Sequence, residues 1–344
     1  MDFEELLEIF NLHFNGIKFL QEARGTSFYE AFVEHFNIEN FEDLEPHLAD
    51  HLERIHLSLK EYCIPDEAQR VVLQMLILKG GMDDHVQPNH QLTPDGIGIV
   101  ASYVVNVLYG LEDGQDFKAI PFDLDPDKLY AIDLASGTNN LLITLAQSLK
   151  QDEVNLTGVE IDETMAQIGK IFFDTTHSIG TFDQADSIQL LMDDANQDVA
   201  ISDLPVGYYP LDMVSSLYKI GALNEHTYAH HLLIEQTMNM LRPGAFGLFL
   251  VPTNFLETPQ STYLKDWLED TAYLQAVVGF PSNLFSSKDA TKSLIVLQKK
   301  GKNVAQASEV YTIQLNQIKE PAEVRRFIDS FYQWAKENYA QIKE

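Results

Sequence analysis

Two acidic residues, Asp133 and Glu160, each close a short apolar run, about 27 residues apart. Asp133 follows Leu129-Tyr130-Ala131-Ile132 and precedes Leu134-Ala135-Ser136-Gly137-Thr138-Asn139-Asn140, a small-residue turn opening a helical pattern. A strand, an acid at its tip and such a turn set a carboxylate beside helix N-terminal amides, in the crevice where an α/β sheet binds a nucleotide-like ligand. Glu160 ends a second strand, Thr157-Gly158-Val159, with Ile161 beyond it. An acid there accepts hydrogen bonds from two ribose hydroxyls. Asp133 would repel a pyrophosphate and attract the cationic methionine end of S-adenosylmethionine (SAM). The pair therefore points to SAM rather than a dinucleotide. The absence of Gly-x-Gly-x-x-Gly after the first strand argues the same way against a nicotinamide dehydrogenase.

The elements that must position these acids alternate. From about residue 92, a helix over 97–108 precedes a strand at 129–133, and a helix after Thr138 leads to a strand at 156–160. A helix over 163–174, a strand region at 180–186 and a strand at 198–203 follow. A helix over 228–241 stops at Arg242-Pro243-Gly244 before a fifth strand at 245–251. Segments 274–279 and 293–298 read as a hairpin-like finish, and a last helix covers about 322–342. Strand–helix alternation is the pattern of a largely parallel sheet flanked by helices. The first 90 residues instead show helical spacing, as in Leu44, Leu48, Leu52, Ile55 and Leu59. One helix there starts near Pro65 and is expected to stop at Gly80-Gly81, with a linker over 82–90. The expected organisation is an N-terminal helical region (1–90), an α/β domain (91–320) and a C-terminal helix (321–344).

Composition bounds the partners. The 344 residues carry 23 Lys plus Arg against 52 Asp plus Glu, a formal charge of −29. Residues 1–90 alone hold 6 basic and 18 acidic side chains. A duplex-binding protein draws most of its affinity from neutralising phosphates, so DNA is disfavoured as a direct partner unless a basic companion chain supplies the contacts. Lys288, Lys292, Lys299, Lys300 and Lys302 gather late in the chain. They lack the interleaved aromatics of a nucleic-acid surface and read as flanks of a strand. One cysteine, Cys63, excludes an internal disulfide or a multi-cysteine zinc site and reads as a small core residue. An acidic N-terminus and the lack of any apolar run near 20 residues give the expectation of a soluble, cytoplasmic protein with no membrane role. His47/His51 and His226/His230 have metal-compatible spacing but no HExxH pattern, so no metal is expected. Gly-x-Ser-x-Gly and phosphate-loop motifs are absent.

In this order the motifs resemble the class I SAM-dependent methyltransferases, and within them the adenine-N6 DNA methyltransferases, the type I modification subunit and a YtxK-like bacterial group. The resemblance covers roughly residues 90–300 and rests on Thr93-Pro94, 133–140, Glu160, Asp186 and Asp203-Leu204-Pro205. Gly279-Phe280-Pro281-Ser282-Asn283-Leu284-Phe285 and Thr291-Lys292-Ser293-Leu294-Ile295-Val296-Leu297 add to it. The implied fold is a Rossmann-like methyltransferase domain behind an N-terminal helical domain. Implied roles follow residue by residue. Asp133, with Ala135 beside it, would face the methionine end of SAM, and Gly137 would admit close backbone approach. Thr93 would close the pocket over the methionine carboxylate. Glu160, with Ile161 beside it, would hold the ribose, and Asp186 the adenine amino group.

This sequence departs from the family at two places. Asn139 and Asn140 stand where glycine is usual; asparagine tolerates a left-handed backbone, and Thr138, Asn139 or Asn140 can cap the helix. The catalytic motif reads Ser202-Asp203-Leu204-Pro205-Val206-Gly207-Tyr208-Tyr209-Pro210. An exocyclic amine is a poor nucleophile because its lone pair is delocalised into the ring. Asp203 and the Leu204 carbonyl would act as two acceptors that localise it, with Pro205 retained. Val206 replaces the stacking aromatic, at a loss of about 1–3 kcal/mol, and Tyr208 or Tyr209 would substitute only from a shifted backbone. The expected activity is methyl transfer from SAM to an exocyclic amine, with DNA adenine as the default acceptor. The alternatives are a non-catalytic SAM-binding or scaffold protein, and a methyltransferase for a protein or small-molecule amine. The helical region is the candidate surface for a homo-oligomer or a partner protein.

Overall fold

A computed structural model describes residues 1–84 (backbone only for the last two), 90–125, 127–190, 195–222, 225–285 and 290–340. An eight-stranded sheet forms the centre, in the order β3-β2-β1-β4-β5-β7-β6-β8. Its strands are β1 (Leu129–Asp133), β2 (Val154–Glu160), β3 (Ile179–Gln184), β4 (Gln197–Asp203), β5 (Leu241–Pro252), β6 (Ala272–Gly279), β7 (Lys292–Lys299) and β8 (Tyr311–Gln314). Strands β1 to β5 pair in parallel, and β7 enters antiparallel between β5 and β6. The order reverses between β1 and β4. At such a switch point the flanking loops diverge and leave a crevice beyond the strands' C-terminal ends.

Strand alternation explains the layering. In β5, Phe246, Leu248 and Leu250 join one core, while Ala245, Phe249 and Val251 join the other. β7 divides in the same way, with Leu294 and Val296 on one side and Ile295 and Leu297 on the other. Both faces are apolar because both are covered by helices. One face carries α5 (Asp95–Tyr109), α6 (Asn140–Ser148), α7 (Glu163–Thr175) and α11 (Pro321–Tyr339). The other carries α9 (Ala229–Met240) and α10 (Ser261–Thr271), with the short α8 (Asp212–Ser215) nearby. No helix among the described residues is long and apolar enough to cross a membrane.

The N-terminal helices are α1 (Phe3–Arg24), α2 (Phe28–Phe36), α3 (Pro46–Leu59) and α4 (Asp66–Asp84). α1 and α2 open with capping boxes, Asp2 with Glu5 and Ser27 with Glu30. Their buried faces, including Ile17, Leu20, Phe28 and Phe32, are continuous with the core of α5, α6 and α7.

Three local expectations are corrected and one strand is added. α4 runs through Gly80 and Gly81 instead of stopping there; a β-carbon on Gly80 would lie 1.9 Å from the Phe28 ring, so this glycine serves helix packing, not termination. Part of the expected linker, 85–89, lies outside the described residues. Cys63 is exposed, in the turn between α3 and α4, not a core residue. β5 begins at Leu241, four residues before the expected strand, with a register irregularity where it meets β4 near Gln197. β8 was not anticipated, because four residues of mixed polarity carry little periodicity; it pairs in parallel with β6. The final helix packs Phe327 and Phe331 against Tyr103 and Tyr311.

Candidate active site

A cavity of about 630 Å³ opens at the carboxyl ends of β1 and β4. Its size is that of a nucleoside-bearing ligand. Thr93, Asp133, Ala135, Gly137, Asp203 and Pro205, six of the residues singled out in the sequence, line it. Leu204, Tyr208, Glu160, Ile161 and Asp186 do not.

The first wall is the turn after β1. Asp133 is 1% exposed, and its Oδ1 accepts from the Ala135 amide at 3.0 Å and from Ser202 Oγ at 2.6 Å. Burial raises its pKa to about 7, and the carboxylates of Glu160 and Asp203 push the same way. Gly137 adopts φ 55°, a left-handed backbone that favours glycine, and Asn139 adopts φ 63°. The Asn139 side chain lies buried, accepting from Ser136 Oγ and reaching the Gly169 carbonyl. It does not crowd the cavity, but neither does it cap: the helix-capping hydrogen bond expected from residues 138–140 is not made. Asn140 lines the cavity and is held by Arg70 of α4, whose Nη1 donates to Asn140 Oδ1 at 3.1 Å.

Glu160 reaches this turn from the end of β2. Its Oε2 accepts from the Gly137 amide at 2.7 Å and its Oε1 from the Asp162 amide at 2.8 Å. Ile161 beside it is 62% exposed. Asp186 follows β3 and is engaged locally, accepting from Tyr209 Oη at 2.7 Å, Gln189 Nε2 at 2.8 Å and the Ile188 amide at 3.1 Å. Burial and this carboxylate both push the Tyr209 phenol up. Tyr209 is buried and does not line the cavity, so its ring offers no stacking face there.

The opposite wall is the end of β4. Thr93 Oγ1 donates to Asp203 Oδ2 at 2.7 Å. Lys292, the first residue of β7, places Nζ 2.5 Å from Asp203 Oδ1 and 3.0 Å from the Leu204 carbonyl oxygen. Two acceptors thus converge on one nitrogen. Lys292 was met in the sequence as one of a late group of lysines and inside the family-like stretch 291–297, with no role of its own. Of that group, Lys299 donates to the Asn239 and Leu241 carbonyls and Lys300 to the Glu269 carbonyl, while Lys288 lies outside the described residues. Lys292, Lys299 and Lys300 are thus each engaged by carbonyl or carboxylate oxygens.

Aromatic surface comes from an unforeseen residue. Val206 lines the cavity, and so does Tyr228, from the residue that caps α9. Tyr208 stacks on Tyr228 with ring centroids 4.6 Å apart and planes 13° from parallel, outside the cavity wall. His230 stacks on Tyr228 in turn, at 5.1 Å. It is 2% exposed and lines the cavity, and neither ring nitrogen has a hydrogen-bond partner among the described residues. Burial lowers its pKa to about 3, with His231 and Lys292 contributing. His226, its neighbour in spacing, instead meets Asp212 Oδ1 at 2.7 Å.

These features fit SAM. A buried carboxylate suits its cationic end, a left-handed glycine exposes backbone beside it, and the cavity has the necessary volume.

Residues 122–342 match the N-6 DNA Methylase family. The chain is 32% identical over 267 residues to the uncharacterised protein YtxK of Bacillus subtilis (strain 168), covering 78% of this chain and 76% of that one. A crystal structure from Listeria monocytogenes, provisionally assigned as a class I SAM-dependent methyltransferase, superposes with a TM-score of 0.84 at 27% identity. That match covers 97% of this chain and 99% of the Listeria protein. The methyltransferase subunit of a type I restriction-modification system from Streptococcus thermophilus shares the fold, with a TM-score of 0.64 at 13% identity over 94% of this chain and 74% of that one.

Proposed function

The chain belongs to the N-6 DNA methylase family and is a SAM-dependent methyltransferase; from that premise we propose that its acceptor is the exocyclic amine of an adenine base in DNA. The observation that carries this reading is the convergence of Asp203 Oδ1 and the Leu204 carbonyl on a single nitrogen, the Lys292 ammonium, at 2.5 and 3.0 Å, which marks the place a target amine nitrogen would take. Two acceptors around one amine nitrogen draw on both its N–H bonds and return its lone pair from the ring to the nitrogen, where it can attack.

Asp133 and the turn through Gly137 hold the cationic end of SAM, and Thr93, which donates to Asp203, closes the pocket over the methionine carboxylate. Glu160 buttresses Gly137 and, with Ile161 beside it at the end of β2, is the acid that would take the ribose hydroxyls. Asp186 takes the adenine amino group, which requires it to share its carboxylate with Tyr209. Pro205 stiffens the backbone that presents the Leu204 carbonyl. When bound, SAM supplies an electrophilic methyl group on a sulfonium. The protein's contribution is to position and desolvate the amine opposite it.

A charge of −29 favours target recognition through a basic companion chain, since phosphates gain little from this surface. The same charge supports a second reading, in which the acceptor is an amine on a protein or small molecule. Calorimetric titration with SAM tests the cofactor site: micromolar binding lost in Asp133→Ala and Glu160→Ala is expected, and no binding at millimolar SAM would overturn it. Transfer of labelled methyl to adenine in unmethylated DNA, with candidate basic partner chains added, tests the acceptor. Label on protein and none on DNA would establish the second reading.

A further inference from the structure

We infer that Lys292 is an internal competitor for the acceptor-amine site, and so a residue that determines which acceptors bind. The inference rests on the reading of Asp203 and Leu204 as the groups that receive the target amine.

Three observations carry it. First, the ammonium of Lys292 touches both acceptors at once, Asp203 Oδ1 at 2.5 Å and the Leu204 oxygen at 3.0 Å. With Thr93 on Oδ2, both oxygens of the Asp203 carboxylate are engaged. Each oxygen keeps a spare lone pair, but the position between the two acceptors that a target nitrogen must take is filled until Lys292 withdraws. Second, the contact is strong enough to matter. A charge-assisted hydrogen bond is roughly twice as strong as one between neutral groups. The Lys292 side chain is only 17% exposed, so water screens the pair weakly. An uncharged exocyclic amine offering two ordinary hydrogen bonds does not outbid it on that contact alone. Third, Lys292 stands at the first position of β7, paired with Pro252, and reaches the site by its long flexible stem. Withdrawing the ammonium requires rotamer changes and no break in the sheet.

The consequence is selectivity. A free nucleoside, held by little besides its amine and ring, competes poorly. A target that brings further contacts, through a partner chain or a longer substrate, supplies the energy to displace the lysine. The device guards the methyl donor against small amines and makes the site depend on the complete substrate.

The test measures binding, independent of turnover. The full chain is titrated with 2′-deoxyadenosine and with its N6,N6-dimethyl analogue, which has no N–H to donate, as wild type, Lys292→Met and Lys292→Gln. Lys292→Met keeps the length of the side chain and removes the charge. Lys292→Gln keeps a donor for Asp203 should the first variant unfold. Deoxyadenosine is expected to bind Lys292→Met at least tenfold more tightly than wild type, with Lys292→Gln between them and the dimethyl analogue unchanged. If wild type already discriminates between the two nucleosides and removing the lysine brings no gain, Lys292 does not compete and the proposal is overturned alone. If no protein discriminates between them, Asp203 and Leu204 do not receive the amine, and the acceptor reading falls with it.

Discussion

Arg70, in a helix of the N-terminal region, and Asn140, in the cofactor turn 70 positions later, are joined by a hydrogen bond of 3.1 Å. The same guanidinium holds Asp95 at 3.0 and 3.4 Å and Gln147 at 3.0 Å. Arg70 is buried, so water does not replace these partners when one is lost. The helical region is thereby tied to the wall of the cavity. Arg70→Met is expected to cost about 1–3 kcal/mol of stability and to weaken SAM binding several-fold through a loosened Asn140. Asn140→Ala should weaken SAM binding with a smaller loss of stability. Calorimetry paired with thermal unfolding separates the two effects. An unchanged dissociation constant in Arg70→Met would show that the tie is structural only.

Asp133 makes SAM binding depend on pH. Its folded pKa, about 7, lies above the ordinary carboxylate range because the group is buried near Glu160 and Asp203. Below pH 7 it is neutral and attracts a cation weakly; above, it is charged. Affinity for SAM should therefore rise with pH from 6 to 7.5 with a slope approaching one proton, then level off. Asp133→Asn should bind more weakly and show no such slope. Stability moves the other way. The folded state holds this proton more tightly than the unfolded one, so Asp133 adds stability as pH falls from 7 towards 4. A flat affinity profile in wild type would place the cationic end of SAM elsewhere.

A pair of histidines in the N-terminal helices opposes that gain. His13 Nδ1 and His35 Nε2 lie 3.0 Å apart, one donating and one accepting, so the acceptor must be neutral, and burial favours the neutral form of the donor as well. Burial, then the neighbouring histidines, lowers their pKa values to about 3 and about 4. The unfolded chain binds these two protons near pH 6.5 and the folded chain does not, so stability is lost as pH falls through that window. Two protons outweigh the one on Asp133. Between pH 6.5 and 5 the pair costs roughly 2–4 kcal/mol, Asp133 returns about 2 of it, and the buried His230 and His231, lowered to about 3 and about 4, deepen the net fall, read as a falling melting temperature. A His13→Phe/His35→Leu double variant should flatten the fall, and an unaltered slope would assign acid sensitivity to other groups.

Strands and acids were legible in the sequence because each carried its own local signal. β1 ends at Asp133 and β2 at Glu160 as the apolar runs indicate, and the left-handed turn follows from Gly137 and Asn139. Lys292 and Tyr228 were not legible in their roles. A lysine opening a strand and a tyrosine before a helix look ordinary in one dimension. Their meaning arises only where β7 is inserted beside β5 and the start of α9 is folded over β4. Gly80 failed for a related reason: glycine as helix terminator is a local rule, and here the Phe28 ring, 52 positions away, decided its use.

Tyr228 is the residue expected to repair the catalytic motif. Val206 occupies the position where the family stacks an aromatic on the target base, and a valine offers no ring face. Tyr228 lines the same cavity, and its ring is held by Tyr208 on one side, 4.6 Å away, and by the ring of His230 at 5.1 Å. A ring fixed in this way loses little freedom when a base settles beside it. With both ring faces taken by Tyr208 and His230, a base meets the edge of Tyr228, an aromatic contact worth about 0.5–1.5 kcal/mol, so Tyr228→Ala should weaken deoxyadenosine binding by roughly 2- to 12-fold. Tyr208→Ala should cost less, since it removes support and not the exposed edge of the stack. Val206→Phe in the Tyr228→Ala background should recover part of the loss by restoring an aromatic at the family's position. Undiminished binding by Tyr228→Ala, with SAM affinity intact in the same protein, would show that the base does not rest on this ring.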